Sequence, residues 1–226
     1  MTRFVLVVLG TFVIALAWAA PAEREEQLLG NAGAAYRELL KVPDAEVPEA
    51  LLRDCRCIAV FPGVVKGAFA WGARRGHGVI SFRASGGQWS APLFMTLTGG
   101  SFGFQVGVEK SDLVLFVMND RSARALVRNE FTLGARGGVA AGPLGRGAEG
   151  STDIKLDAEI YSYARSKGLF AGISLEGARV SVDQKANGRF YGRAVTADEV
   201  LFDRKVDVLP AARGFLSVLP PPPSGH

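Results

Sequence analysis

Apolar positions between Glu23 and Lys41 recur at three- and four-residue spacing: Leu28, Leu29, Ala32, Tyr36, Leu39 and Leu40, with Arg and Glu opposite. That period predicts an amphipathic helix, and Pro43 marks its stop. A second short helix is expected from Pro48 through Glu49–Asp54, because proline suits a first helical turn. The pattern then changes. Ile58–Phe61, Lys66–Trp71, Gly78–Phe82, Gly103–Val108 and Leu113–Met118 are short β-rich runs parted by Gly, Pro, Ser or Asp. Asp120 to Arg128 interrupts them as one short helix, with Asp120 as N-cap. Leu156, Ala158, Ile160, Ser162 and Ala164 alternate with charged or aromatic residues, and Leu169, Ala171, Ile173 and Leu175 continue beyond Ser166-Lys167-Gly168. This predicts a long antiparallel hairpin with one apolar face. Asn187-Gly188 reads as a further turn, and Thr196 to Glu199 (TADE) as a capping box that opens a short helix.

The expected fold is α+β: a single domain dominated by a twisted antiparallel β-sheet or barrel, with N-terminal and C-terminal helices. There is no internal repeat and no Pro/Ser linker, so the domain is placed at residues 23–218, followed by an exposed Pro-rich tail at 219–226. Residues 1–22 read as a secretory signal peptide. Arg3 is its positive start, Phe4 to Trp18 is uncharged, and small residues allow cleavage after Ala19 or Ala22. The expected location is the periplasm or cell envelope.

Charge sharpens this picture. The formal net charge is only +4, but its distribution is uneven. Glu23 to Asp54 holds eight acidic and four basic residues, whereas Cys55 to Val108 holds five basic and no acidic ones. Cys55 and Cys57 are one residue apart, a poor spacing for a disulfide, and are expected to be buried free thiols.

Motifs for catalysis fall short. Gly99 to Gly103 has the G-x-S-x-G form of a nucleophile elbow around Ser101, yet such a serine needs a histidine later in the chain. His77 precedes it, and His226 ends the Pro-rich tail. The same residues are expected to turn into a strand. Gly145 to Gly150 has the G-x-G-x-x-G form, but the alternating pattern after it is that of a strand, not the helix a dinucleotide site needs. No spacing suits a metal, no cofactor is implied, and the chain is not expected to be an enzyme. Nucleic acid is a poor match for the small net charge.

The basic positions remain. Arg74 and Arg75 lie in an expected glycine-flanked turn, and Arg121, Arg124 and Arg128 share a helix face. Arg136 and Arg146 sit in glycine-rich loops. Such clusters suit anionic lipid head groups, with each cation worth about 1 kcal/mol near the surface.

Four segments carry a resemblance: CIAVFPGVVKGAFAWGARRGHGVISFR (57–83), WSAPLFMTLTGGSFGFQVGVEKSDLVLFVMN (89–119), FTLGARGGVAAGPLGR (131–146) and YSYARSKGLFAGISLEGARVSVD (161–183). In this order and spacing the chain resembles the SYLF-domain family of lipid-binding proteins, and within it the exported bacterial members. The resemblance implies non-catalytic binding of acidic phospholipid. Applied here, it makes Lys66, Arg74, Arg75, Arg136 and Arg146 the expected head-group contacts. The competing reading is an envelope structural or protein-interaction module that does not bind lipid directly.

Overall fold

The computed structural model describes residues 8–41, 47–69, 71–101, 107–128, 131–134, 138–143, 158–166, 169–173, 175 and 177–221, with the backbone alone for residues 8–22, 68–69, 71–72, 100–101, 107–108 and 169. Helix α1 (Val8–Leu40) leads to a short α2 (Glu49–Asp54). Strands β1 (Cys57–Phe69), β2 (Trp71–Phe82), β3 (Leu93–Ser101) and β4 (Gly107–Val117) follow, then α3 (Asp120–Val127). Short strands β5 (Phe131–Thr132), β6 (Val139–Ala141), β7 (Ile160–Ser166), β8 (Leu169–Gly172) and β9 (Arg179–Val182) complete one sheet. Helix α4 (Gln184–Tyr191), a π-helical turn (Asp198–Phe202), a 3₁₀ turn (Pro210–Ala212) and α5 (Arg213–Leu216) close the chain.

The nine strands run in the order β5-β9-β3-β2-β1-β4-β7-β6, with β8 also on β7. All pairs are antiparallel except β6 with β7. The expected α+β fold is therefore what forms, as a curled half-barrel whose sheet is mixed. The pleat sends Cys57, Ala59, Phe61, Ile80, Leu93, Leu113 and Leu115 toward α3 and the π-helical turn. It sends Ile58, Val60, Val79, Phe94, Val114 and Phe116 toward α1, where they meet Leu29, Ala32, Tyr36 and Leu39. Two cores thus share one sheet.

Several expectations change. Ile58–Phe61 and Lys66–Trp71 are not separate strands, because β1 continues through a bulge between Phe61 and Val64. Gly63 takes φ +61° there, and the Asp112 carboxylate accepts its N–H at 2.8 Å. The hairpin β7–β8 exists, but β7 is not one-sided: Tyr161 and Tyr163 are buried along with Ile160. Asn119, not Asp120, caps α3, accepting the Ser122 N–H. Asn187-Gly188 lies inside α4. The Asn187 side chain both accepts the Phe94 N–H and donates to the Phe94 carbonyl, each at 2.9 Å. The capping box forms as read, Thr196 Oγ1 accepting the Glu199 N–H and Glu199 Oε2 accepting the Thr196 N–H. Leu219 is buried, and Trp89 Nε1 donates to the Pro220 carbonyl at 2.8 Å. Leu219 is therefore not part of an exposed tail, and residues 222–226 lie outside the described residues.

The cleavage points after Ala19 and Ala22 fall within α1, and Leu29, Ala32, Tyr36 and Leu39, which enter the core, all lie beyond them. Among the described residues no helix is long and apolar enough to cross a membrane. Cys55 and Cys57 are free and buried, and they pack into different cores. Burial pushes the Cys55 thiol up to about 11 and the Cys57 thiol well above its ordinary value, so neither is a reactive thiolate at neutral pH.

Candidate binding surface on the helix-facing side of the sheet

Beyond the bulge, the apolar alternation of β1, β2 and β4 gives way to charge. Arg74 and Arg75 are in strand β2 rather than a turn, so the pleat drives them to opposite faces. Glycine signals a turn in sequence. Here Gly76 and Gly78 instead admit close approach, since a Cβ would collide with Val64 at the first and Phe61 at the second.

On the face toward α3, Arg74 pairs across the strands with Lys66, which pairs in turn with Glu109. Burial lowers the Arg74 guanidinium below its ordinary value, and the Glu109 charge opposes that shift. The Ser166 hydroxyl donates to the Glu109 carboxylate. Lys66 and Arg74 are both half-buried, which suits a strand pair better than an open head-group contact.

On the opposite face the register builds a longer row. Lys110 pairs with Val65, Val65 with Arg75, Arg75 with Thr98 and Thr98 with Arg179. All five side chains are exposed, and Val65 at 38% is one of two exposed large apolar residues among those described. Five strands thus contribute one residue each to a basic strip with an apolar contact inside it. Of the expected contacts among the described residues, Arg75 joins this row and Lys66 and Arg74 do not. Arg136 and Arg146, like the G-x-G-x-x-G motif, lie outside the described residues. On α3, Arg124 is engaged by Asp198 at 3.6 Å and the Phe202 ring at 4.1 Å, while Arg121 and Arg128 are exposed.

The row borders a cleft of about 960 Å³ between α1, the sheet and α4, lined by Arg24, Glu25, Arg75, His77, Asp183 and Lys185 among others. Asp183 accepts the Ala186 N–H and so caps α4; its other oxygen lies 3.4 Å from His77 Nδ1. Glu25 ties α1 to α4, its Oε1 accepting from Arg189 Nε at 3.0 Å and Nη2 at 2.5 Å. That carboxylate raises the Arg189 guanidinium above its ordinary value.

Sequence reasoning missed Lys110, Arg179 and Glu25. For Glu25 a signal existed: it continues the buried stripe Leu29, Ala32, Tyr36, Leu39 by one more four-residue step, a carboxylate where the pattern wants an apolar side chain. Lys110 and Arg179 gave none, because their alignment depends on strand register. Ser101 lies in β3, paired with Gly72, not at a strand-to-helix elbow. Among the described residues no group of three or more His, Cys, Asp or Glu is placed to hold a metal.

The family profile described as "Ysc84: Las17-binding protein actin regulator" matches residues 98–220, more than half of the chain. SH3 domain-containing YSC84-like protein 1 of Xenopus laevis is 41% identical over 162 residues, covering 71% of this chain and 48% of that protein. Its Homo sapiens counterpart is 37% identical over 161 residues, 71% of this chain and 47% of the relative. Protein YSC84 of Saccharomyces cerevisiae is 37% identical over 181 residues, 78% of this chain and 38% of the relative. The chain spans half or less of the length of these relatives. They are vertebrate and yeast proteins, and they do not show the expected bacterial, exported origin. The family description names a Las17-binding protein and an actin regulator, and no enzyme. With this profile match and these relatives, the chain belongs to the Ysc84, or SYLF-domain, family.

Proposed function

We propose that this chain is a non-catalytic binding module that docks an acidic surface of a protein partner on the row Lys110–Val65–Arg75–Thr98–Arg179. The observation that carries the reading is the register itself, which lines up exposed cations from β4, β2 and β9 on one face. The relatives support a protein as partner, since their names include "Las17-binding" and "LAS seventeen-binding protein 3". The test is capture of the full chain on immobilised Las17, and co-sedimentation with actin filaments, at low and high salt. Capture that falls with salt and is lost with Arg75→Glu/Lys110→Glu supports the row. Capture unaffected by that double change removes it.

A second reading, anionic phospholipid on the same row, is favoured by Val65, an exposed apolar side chain between two cations where head groups give way to acyl chains. Retention on phosphatidylserine vesicles but not on neutral ones, sensitive to the same double change, would select it. Export is part of the proposal: residues 1–22 are read as the signal, which puts the native partner in the cell envelope, with Las17 and actin serving only as probes of the row. N-terminal sequencing of secreted protein should begin at Ala20 or Glu23, and a mature chain starting at Met1 would overturn export.

A further inference from the structure

We propose that the cleft between α1 and α4 binds a small anionic ligand that also carries a primary amine, with Glu25 receiving the amine. This goes beyond partner docking on the row and does not depend on it.

Glu25 is 2% exposed and lines the cleft. Both N–H groups from Arg189 go to its Oε1, leaving Oε2 buried without a hydrogen-bond partner among the described residues. A buried carboxylate oxygen without a donor is costly. An ammonium group supplies both a donor and a charge, and charge-assisted bonds of that kind are the strong ones.

The rest of the cleft specifies the other half of the ligand. Arg24, Arg75 and Lys185 line it, against Asp183 with His77 beside it. A bare amine would meet these three cations and Arg189 as well, whereas a bare anion would leave Oε2 unserved. An amine joined to a phosphate satisfies both, and about 960 Å³ lies within the range of small-ligand clefts. Such an aminophosphate occurs free or as a lipid head group, and the chemistry recognised is the same.

The experiment is an NMR titration of the full chain at low salt with O-phosphoethanolamine, ethyl phosphate, inorganic phosphate and ethanolamine. O-phosphoethanolamine should bind at least about tenfold more tightly than the other three, the gain expected of one charge-assisted contact. Glu25→Gln should erase its margin over ethyl phosphate while ethyl phosphate binding persists, and Arg121→Ala, on α3 and away from both the cleft and the row, should change neither. Ethyl phosphate matching O-phosphoethanolamine in the unaltered protein overturns the proposal, as does absence of saturable binding by all four probes; neither result depends on whether the Gln variant folds. Retention on phosphatidylethanolamine vesicles, displaced by free O-phosphoethanolamine, supports the proposal with a head group as source. Binding of the free compound without vesicle retention supports it with a solution metabolite.

Discussion

Strands β1, β2 and β4 run from a closed end to an open one, and the two ends are built differently. At the closed end Ile58, Ala59, Val60, Phe61, Val79, Ile80 and Val114 to Val117 are each fully buried, covered by α1 on one side and by α3 and the π-helical turn on the other. At the open end the same strands carry Lys66, Arg74 and Glu109 on one face and Val65, Arg75 and Lys110 on the other. The ladder of backbone hydrogen bonds continues through both. What differs is what the pleat sorts: apolar side chains into two cores at one end, charges onto two surfaces at the other. Core packing and exposed charge are therefore separable along a single strand.

The strongest way to break that comparison is Phe116→Ala at the closed end. Phe116 meets the Tyr163 ring edge-on at 5.6 Å and lies 6.3 Å from Tyr36. Its loss should cost about 3–5 kcal/mol in urea unfolding, with partner capture by the folded fraction unchanged; reduced capture by folded protein would show the ends to be coupled. Next is alkali. The Cys55 thiol is held protonated to about pH 11 against an ordinary value of 9.0. The unfolded chain releases this proton first, so stability should fall by about 2–3 kcal/mol as pH rises from 9 to 11. Cys55→Ala should lose that portion of the pH dependence, and a variant with the same slope would refute the assignment.

Smaller effects belong to the open end and the boundary. Arg75→Glu/Lys110→Glu should weaken partner capture roughly tenfold at low salt and less at high salt, with no change in Tm. Lys66→Ala, on the other face, should leave capture as it was. Asp112→Ala removes the acceptor for the Gly63 N–H at the bulge and should cost about 1 kcal/mol by thermal melting. A much larger loss would mean that the bulge is held by that single bond.

Much of the fold was legible because its signals are local. The α1 stripe, the β7–β8 hairpin and the Thr196 cap each depend on residues a few positions apart. Glycine and proline misled wherever their role was tertiary. Pro62-Gly63 reads as a break, but Asp112, far along the chain, supplies the acceptor that makes it a bulge. Asn187-Gly188 reads as a turn, yet Asn187 is a buried clasp on the Phe94 backbone. The binding row was the least legible part. Arg75 could be named from sequence, but the other cations of the row come from β4 and β9 and are joined to it only by register. Pairing Arg75 with Arg74 failed for the simplest reason, since neighbours in a strand face apart.

The tie between α1 and the end of the chain also bears on biosynthesis. Glu25 finds its partner in Arg189 of α4, Leu29 and Tyr36 share a core with Phe190 and Phe215, and the backbone of Phe215 in α5 lies alongside Gly33. Helix α1 must therefore wait for α4 and α5, which leave the ribosome much later. Until then part of its apolar stripe is uncovered, and the nascent chain stays open to chaperones and translocation machinery while the intervening sheet is made.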